Sequence, residues 1–387
     1  MKVALVHDWL TGMRGGEKCL EVFCELYPTA DLYTLLHIPG TVSNVIENRR
    51  IFTSFLQKIP GIRNNYRNYL PLFPKAVEQF DLRGYDLVIS SSHCVAKGVK
   101  SKDVPLHICY CYSPMRYIWD MYPSYFGKER RNLPARIAMS LIIKYLRDWD
   151  VRTSERVDRF VAISHNVAGR IQRHYGREAD IIHPPVDADF FTPGVAAKRE
   201  YYLIVSALVP YKRLDLAIEA FNALRYPLKL AGVGPEEKRL KQLAKPNIEF
   251  LGWQSDEELL DLYRGCRALV FPGEEDFGIV PLEAMACGRP VIAYGKGGAL
   301  ETVVPLQDHR EPDQDGTPTG IFFHEQSPEA LKKAIAGFEE KQHLFQEGDI
   351  REHALKFDRS LFKEKVHHYM SEKYEGYLSA EKTQRIL

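Results

Sequence analysis

The chain has 387 residues, 45% hydrophobic and 27% charged, with a formal net charge of +1. That length suggests two domains, each able to bury a core, and the composition is that of an ordinary globular protein, which excludes disordered and fibrous classes. Seven cysteines without Cys-x-x-Cys spacing argue against a disulfide framework or a zinc site and read as reduced core thiols.

Met1 to His7 carries one cation and too short an apolar run for a signal peptide, so it reads as a first strand. No apolar stretch approaches the roughly 18 residues that a spanning helix needs, and a cytoplasmic, non-spanning protein is expected. Residues 1–192 hold 26 Lys and Arg against 20 Asp and Glu (+6), leaving 26 against 31 (−5) for the rest. A basic first half suits an anionic lipid surface or a diphosphate-linked acceptor, although chance also produces such an asymmetry.

In chain order, residues 2–6, 31–36, 86–91, 106–111, 160–163 and 179–182 read as strands alternating with helical patterns, which predicts a parallel α/β sheet. After the first strand, Thr11-Gly12-Met13-Arg14-Gly15-Gly16-Glu17 opens the first helix. Its paired Gly15 and Gly16 would let backbone approach a phosphate or sugar, though glycine turns also occur there for packing. The stretch from Arg130 to Arg147 has apolar residues at 133, 137, 141 and 145 with cations between. It suits either a membrane interface or the packed face of a long helix.

Three prolines and a glycine between Ile182 and Gly194 mark a rigid connection, predicting a first domain over 1–192 and a second over 193–359. The alternation restarts with strands at 201–206, 228–231, 248–251, 268–271 and 291–293, and helices at 213–224, 236–244, 256–266 and 280–287. Ligands in such sheets bind beyond the carboxyl ends of the strands, so two facing domains would make one deep cleft.

The strongest signal follows the strand at 268–271: Pro272-Gly273-Glu274-Glu275-Asp276-Phe277-Gly278-Ile279-Val280-Pro281-Leu282-Glu283. Gly278, Ile279 and Val280 open a helix whose unpaired N–H groups and positive dipole end favour a diphosphate. Glu283 falls one turn inside that helix, within reach of ribose hydroxyls, and Glu275 sits on the loop where it can accept from hexose hydroxyls. Upstream, Ser206-Ala207-Leu208-Val209-Pro210-Tyr211-Lys212-Arg213 closes a strand and opens a helix. Lys212 there is a point cation suited to the charge on a departing nucleoside diphosphate.

With its Glu, seven residues, Glu spacing, the string resembles the retaining GT-B glycosyltransferases of the large family numbered four. The similarity runs over essentially the whole chain and includes Ala231-Gly232-Val233-Gly234-Pro235, Phe250-Leu251-Gly252-Trp253 and Gly297-Gly298-Ala299-Leu300-Glu301. The first half looks most like bacterial O-antigen and exopolysaccharide mannosyltransferases through His7-Asp8-Trp9-Leu10 and Tyr112-Ser113-Pro114-Met115-Arg116-Tyr117-Ile118-Trp119-Asp120. The resemblance implies a GT-B fold, two facing Rossmann-like domains with parallel sheets and an interdomain cleft. It also implies a donor site in the second domain, an acceptor site in the first, retention of configuration and no metal or other cofactor beyond the sugar nucleotide.

Most family members carry an arginine where this chain has Ala207, and Arg213 is expected to restore that charge from the next turn. A cleft histidine is common where this chain has Tyr112, whose phenol can still hydrogen-bond a sugar hydroxyl; His93, after the preceding strand, is the nearest substitute, and the choice between the two stays open. The final helix, near 360–377, is expected to cross back to the first domain. The expected reaction is transfer of mannose from GDP-mannose to a glycan, carried on a polyprenyl diphosphate, at the inner face of the cytoplasmic membrane; nucleic acid is not an expected partner. A UDP-sugar-using transferase, a sugar-nucleotide epimerase and a non-catalytic nucleotide-sugar binder are the alternatives.

Overall fold

The structure is a computed structural model that describes residues 1–120, 133–194, 200–306 and 317–386. The chain forms two compact units, Met1–Pro184 with Phe362–Leu387, and Pro185–Leu361. The first unit holds strands β1 (Val3–His7), β2 (Asp31–Thr34), β3 (Arg50–Thr53), β4 (Leu87–Ser92), β5 (Leu106–Cys111), β6 (Arg159–Ala162) and β7 (Ala179–Ile181). The second holds β8 (Tyr201–Val205), β9 (Leu228–Ala231), β10 (Ile248–Gly252), β11 (Cys266–Phe271), β12 (Val291–Tyr294) and β13 (Gly320–Phe323). Among the described residues the longer helices are α1 (Gly15–Leu26), α2 (Leu133–Ser154), α3 (His165–Tyr175), α4 (Leu214–Leu224), α5 (Glu237–Leu243), α6 (Asp256–Gly265), α7 (Ile279–Ala286), α8 (Pro328–Lys341), α9 (Glu347–Leu355) and α10 (Arg359–Ile386).

The strand orders are β3-β2-β1-β4-β5-β6-β7 and β10-β9-β8-β11-β12-β13, with every pairing parallel. Parallel strands are covered on both faces and so read as near-continuous apolar runs. Strands β1, β4 and β5 are buried from end to end for that reason. Strands β3 and β13 were not anticipated. Both are four-residue edge strands whose faces are only partly covered, so neither carries a long apolar run. In each unit the order reverses beside the first strand, between β1 and β4 and between β8 and β11. Such a topological switch point is where open α/β sheets bind ligands.

The proline-rich connection joins the second unit from Pro185, ahead of the expected boundary after residue 192. It is not a bare linker: Val186 N–H donates to the Phe357 carbonyl (2.9 Å), and Arg351 donates to the carbonyls of Ala188 and Phe191 (3.0 Å each). Helix α10 brings Phe362 onto Phe23 and Tyr110 of the first unit, with ring centroids 6.1 and 5.8 Å apart. Lys363 pairs with Glu25 at 3.2 Å and Tyr369 OH donates to Asp180 at 2.7 Å.

All seven cysteines are buried and none forms a disulfide. On α2, Met139, Ile142, Ile143, Leu146 and Trp149 pack into the apolar cluster, whereas Leu141 and Tyr145 are 65% and 47% exposed. The 141/145 end of the expected stripe therefore faces solvent; Arg130, Arg131 and Asn132, and the side chains of 133–138, lie outside the described residues. Beneath that helix, buried Lys97 meets buried Asp150 at 3.0 Å and donates to the Asp150 carbonyl (2.7 Å) and Thr153 Oγ1 (3.2 Å). Asp150 Oδ2 accepts from Trp119 Nε1 and Tyr175 OH, both at 2.8 Å.

His107 on β5 is fully buried, its Nε2 2.8 Å from Ser90 Oγ and its Nδ1 near Ser101 Oγ and the Arg156 carbonyl. Burial pulls its pKa down to about 4. The unfolded ring binds a proton near pH 6.5 and the folded one refuses it. The associated stability is thus complete above that pH and is lost as pH falls toward 4, reaching about 3 kcal/mol. Urea midpoints should fall over this window in the parent and fall less in His107→Gln. Equal slopes would rule His107 out as the cause.

Candidate active site

In the second unit, β8 and β11 are adjacent strands flanking the switch point, and the loops leaving them carry most of the expected residues. Gly273 lies directly on Lys212: a Cβ there would stand 3.0 Å from the Lys212 Cα and 3.2 Å from its carbonyl oxygen. A side chain there would push the two loops apart by a few tenths of an ångström. With the loops this close, Lys212 Nζ forms an ion pair with Glu275 Oε1, the two side chains 18% and 14% exposed. The Glu275 carbonyl accepts from Gly298 N–H at 2.8 Å, which ties its loop to the turn before residue 299. Gly278 is the N-cap of α7 with φ 99°, a conformation that favours glycine, and it leads into Ile279 and Val280 in the first turn. The first N–H groups of that helix have no partner within it.

Glu283 is 6% exposed and accepts from Tyr263 OH at 2.8 Å, so the structure holds it in a buried clasp. Tyr263 was missed in the sequence because it lies on a different helix, α6. Arg213 takes φ 53° at the N-cap of α4, a left-handed conformation that residues other than glycine seldom adopt. Its guanidinium pairs with Asp215 (Nε to Oδ1, 3.2 Å), so part of its charge is already offset by that carboxylate. Lys296, 3.1 Å from Glu274, is a further cation beside this loop that sequence reasoning did not single out.

In the first unit, β1 and β4 flank the equivalent switch point. Tyr112, just past β5, has its phenol 2.8 Å from the Gly16 carbonyl and 2.9 Å from Ser91 Oγ. Gly15 and Gly16 form the first turn of α1. A Cβ at Gly16 would make only ordinary contacts with Tyr112 and His7, near 3.6–3.7 Å, so packing within the unit does not demand glycine there. His93 Nδ1 is 3.1 Å from Asp8 Oδ2, and the edge of its ring meets Trp9 with centroids 4.5 Å apart. Buried His7 contacts Ser91 Oγ (3.0 Å) and faces Glu17 at 3.6 Å. Burial pushes the Glu17 carboxyl up, but His7, His93 and backbone N–H outweigh it and leave it below the ordinary value. Asp8, Glu17 and Ser91 were not among the expected site residues. The string His7-Asp8 and the serines ahead of His93 were the available signals.

Each unit thus gathers its own polar cluster: Lys212, Glu275 and the α7 start in the second, and His93, Tyr112 and Gly16 with Asp8 and Glu17 in the first. No helix among the described residues is long and apolar enough to cross a membrane.

Residues 186–356 match the glycosyl transferases group 1 model, and residues 40–190 match that of Glycosyltransferase Family 4. A D-inositol 3-phosphate glycosyltransferase of Geodermatophilus obscurus is 34% identical over 233 residues, 52% of this chain and 49% of that one. The serotype-specific mannosyltransferase WbdA of Escherichia coli is 28% identical over 237 residues, 51% of this chain and 29% of the relative. The chain therefore spans about half or less of the length of these curated relatives. Among solved structures, Anabaena HepE in complex with UDP has the same fold, with a TM-score of 0.69 at 18% identity over 96% of this chain and 100% of that one. With the two family models running between them from residue 40 to 356, the chain belongs to glycosyltransferase family 4, the glycosyl transferases group 1.

Proposed function

We propose that this chain transfers mannose from GDP-mannose to a glycan on a lipid diphosphate, with retention of configuration and without a metal ion. The observation that carries the reading is the Lys212–Glu275 pair beside the start of α7, at the switch point of the second unit. An ammonium and an unpaired helix N-terminus are what a diphosphate leaving group needs, and the adjacent carboxylate can accept from sugar hydroxyls. The leaving phosphate then serves as base for the incoming hydroxyl on the same face, so the protein contributes orientation and charge stabilisation. Mannose is supported by the likeness to WbdA. The UDP bound in the HepE structure favours a second reading, a UDP-sugar donor.

Thermal stabilisation by GDP, UDP and ADP separates these readings, because a ligand that binds only the folded chain raises the melting midpoint according to its affinity. GDP is expected to give the largest shift, and EDTA to leave both the shift and turnover nearly intact. Equal, negligible shifts with all three nucleotides would remove the donor site; activity lost with EDTA and restored by manganese would remove the metal-free reading.

A lipid-linked acceptor also calls for a membrane-facing surface. Between Glu47 and Glu78 the chain carries six cations and no acidic residue. Lys58, Arg63, Arg67 and Lys75 are exposed, and Leu72 is 40% exposed among them. These features support peripheral contact with anionic lipid, here as well as on α2. Co-flotation with phosphatidylglycerol vesicles, absent with phosphatidylcholine and reduced in the Arg63→Glu, Arg67→Glu double variant, is expected. Equal recovery with both lipids would count against it.

A further inference from the structure

We infer that Arg351, which lies outside the candidate site, is a positioning residue: it grips α7 by the backbone carbonyl at its C-terminal end and so fixes where the N–H groups at the other end meet the diphosphate of the donor. This rests on the transferase reading above. Arg351 stands on α9, within the second unit. Its Nη1 donates to the carbonyls of Ala286 (2.6 Å) and Phe191 (3.0 Å), and its Nη2 to that of Ala188 (3.0 Å). Carbonyl groups at a helix C-terminus have no partner inside the helix. At the end of α7, Cys287 N–H donates to the Glu283 carbonyl (3.2 Å), Arg289 N–H to that of Ala284 (2.9 Å) and Gly288 N–H to that of Met285 (2.8 Å), which leaves Ala286 for the guanidinium. The last turn of α7 holds no basic residue of its own, so Arg351 also supplies the cation that the negative end of the helix dipole favours.

Position along the helix axis is what this contact controls. From Pro281 to Ala286 every residue of α7 is buried, and all but Glu283 are apolar. Apolar burial is non-directional, so the axial position falls to the directional contacts. Glu283 meets Tyr263 OH through a side chain with three rotatable bonds, whereas Arg351 holds the backbone itself. A guanidinium is planar with its donors in a fixed fork, which refers the Ala286 carbonyl to those of Ala188 and Phe191. Helix α9 is in turn anchored around α7. Glu347 pairs with buried Arg289 at 3.2 Å, a Cβ at Gly288 would stand 2.1 Å from Glu347 Cγ, and His353 Nε2 lies 2.9 Å from the Thr302 carbonyl. Just past α9, Phe357 meets Phe277 with ring centroids 5.9 Å apart, so the same segment also touches the residue ahead of Gly278. An eight-residue helix is about 12 Å long and moves as a rod, so a shift at its C-terminal end is carried to the N–H groups at its start. A misplacement of about 1 Å is enough to cost about a hundredfold in rate.

The test compares Arg351→Ala and Arg351→Lys with the parent, well below every melting midpoint. Arg351→Ala should lower kcat with GDP-mannose or UDP-glucose about ten- to a hundredfold and weaken GDP or UDP binding only severalfold, since a bound nucleotide adapts to a shifted helix and the transition state does not. Lysine keeps the charge but lacks the fork, so Arg351→Lys should regain most of the melting midpoint and little of the turnover. In chains labelled with ¹⁵N at isoleucine and valine, the Ile279 and Val280 amide resonances of the nucleotide-bound state should move in both variants. Turnover that falls only in step with the midpoint, parental turnover in Arg351→Ala, or unmoved Ile279 and Val280 amides would overturn the proposal. If Arg351→Ala does not fold, Arg351→Lys decides by the same measurements. A parent that binds nucleotide yet transfers no sugar would remove the transferase reading and leave the amide shifts to decide what Arg351 holds in place. A parent that binds neither GDP nor UDP would remove the donor site and this proposal with it.

Discussion

Glu275→Ala is expected to lower turnover by about a hundredfold or more while nucleoside diphosphate binding stays level or tightens severalfold. The loss follows from removing a carboxylate placed to meet the sugar, at the scale known for one transition-state contact. The retained binding follows from the ion pair itself: Lys212 Nζ pairs with Glu275, and removing that carboxylate removes a negative charge that competes with a diphosphate for the ammonium. Lys212→Ala should behave differently, weakening both turnover and nucleotide affinity. Single-turnover kinetics with calorimetric titration of GDP and UDP would separate the two variants. If Glu275→Ala lost nucleotide binding as well, the carboxylate would belong to the nucleotide subsite. If it lost neither, the pair would be a structural link between two loops.

The second large effect concerns stability. Asp150→Ala would leave the Lys97 ammonium buried without a counter-charge and strip Trp119 and Tyr175 of their acceptor. Breaking a buried pair from one side costs about 3–5 kcal/mol, which in a unit of this size lowers the melting midpoint on the order of 10 °C. Replacing both partners by apolar residues, Lys97→Met with Asp150→Leu, should recover much of that loss, because the desolvation of two charges disappears along with their attraction. A single variant that melts within about 2 °C of the parent would mean that water reaches the ammonium.

The elements legible in the sequence were those whose physics is local. Strands β1, β4, β5, β8 and β11 are buried on both faces and announce themselves as apolar runs. The 272–283 string was legible because a strand, a glycine turn and a helix start follow one another without interruption. Edge strands β3 and β13 were not, since half-covered backbone needs no apolar pattern. The site partners that escaped notice are the non-local ones: Asp8 meets His93 across adjacent strands, and Tyr263 reaches Glu283 from another helix. Arg213 marks the same limit from the other side. Its charge could be read from the sequence, but its left-handed backbone and its attachment to Asp215 could not.

Helix α10 carries a consequence for biosynthesis. Phe362, Val366 and Met370 belong to the core of the first unit, yet they leave the ribosome only after the whole of residues 185–361 has been made. At elongation rates of 5–20 residues per second that interval is roughly ten seconds to half a minute. Throughout it, the faces of Phe23 and Tyr110 that Phe362 will cover are bare, while the seven-stranded sheet already has all of its strands. The nascent first unit is thus a ready client for chaperones that hold exposed apolar surface. Expression of residues 1–184 alone should yield an aggregation-prone product, and supplying 359–387 as a separate peptide should rescue its solubility.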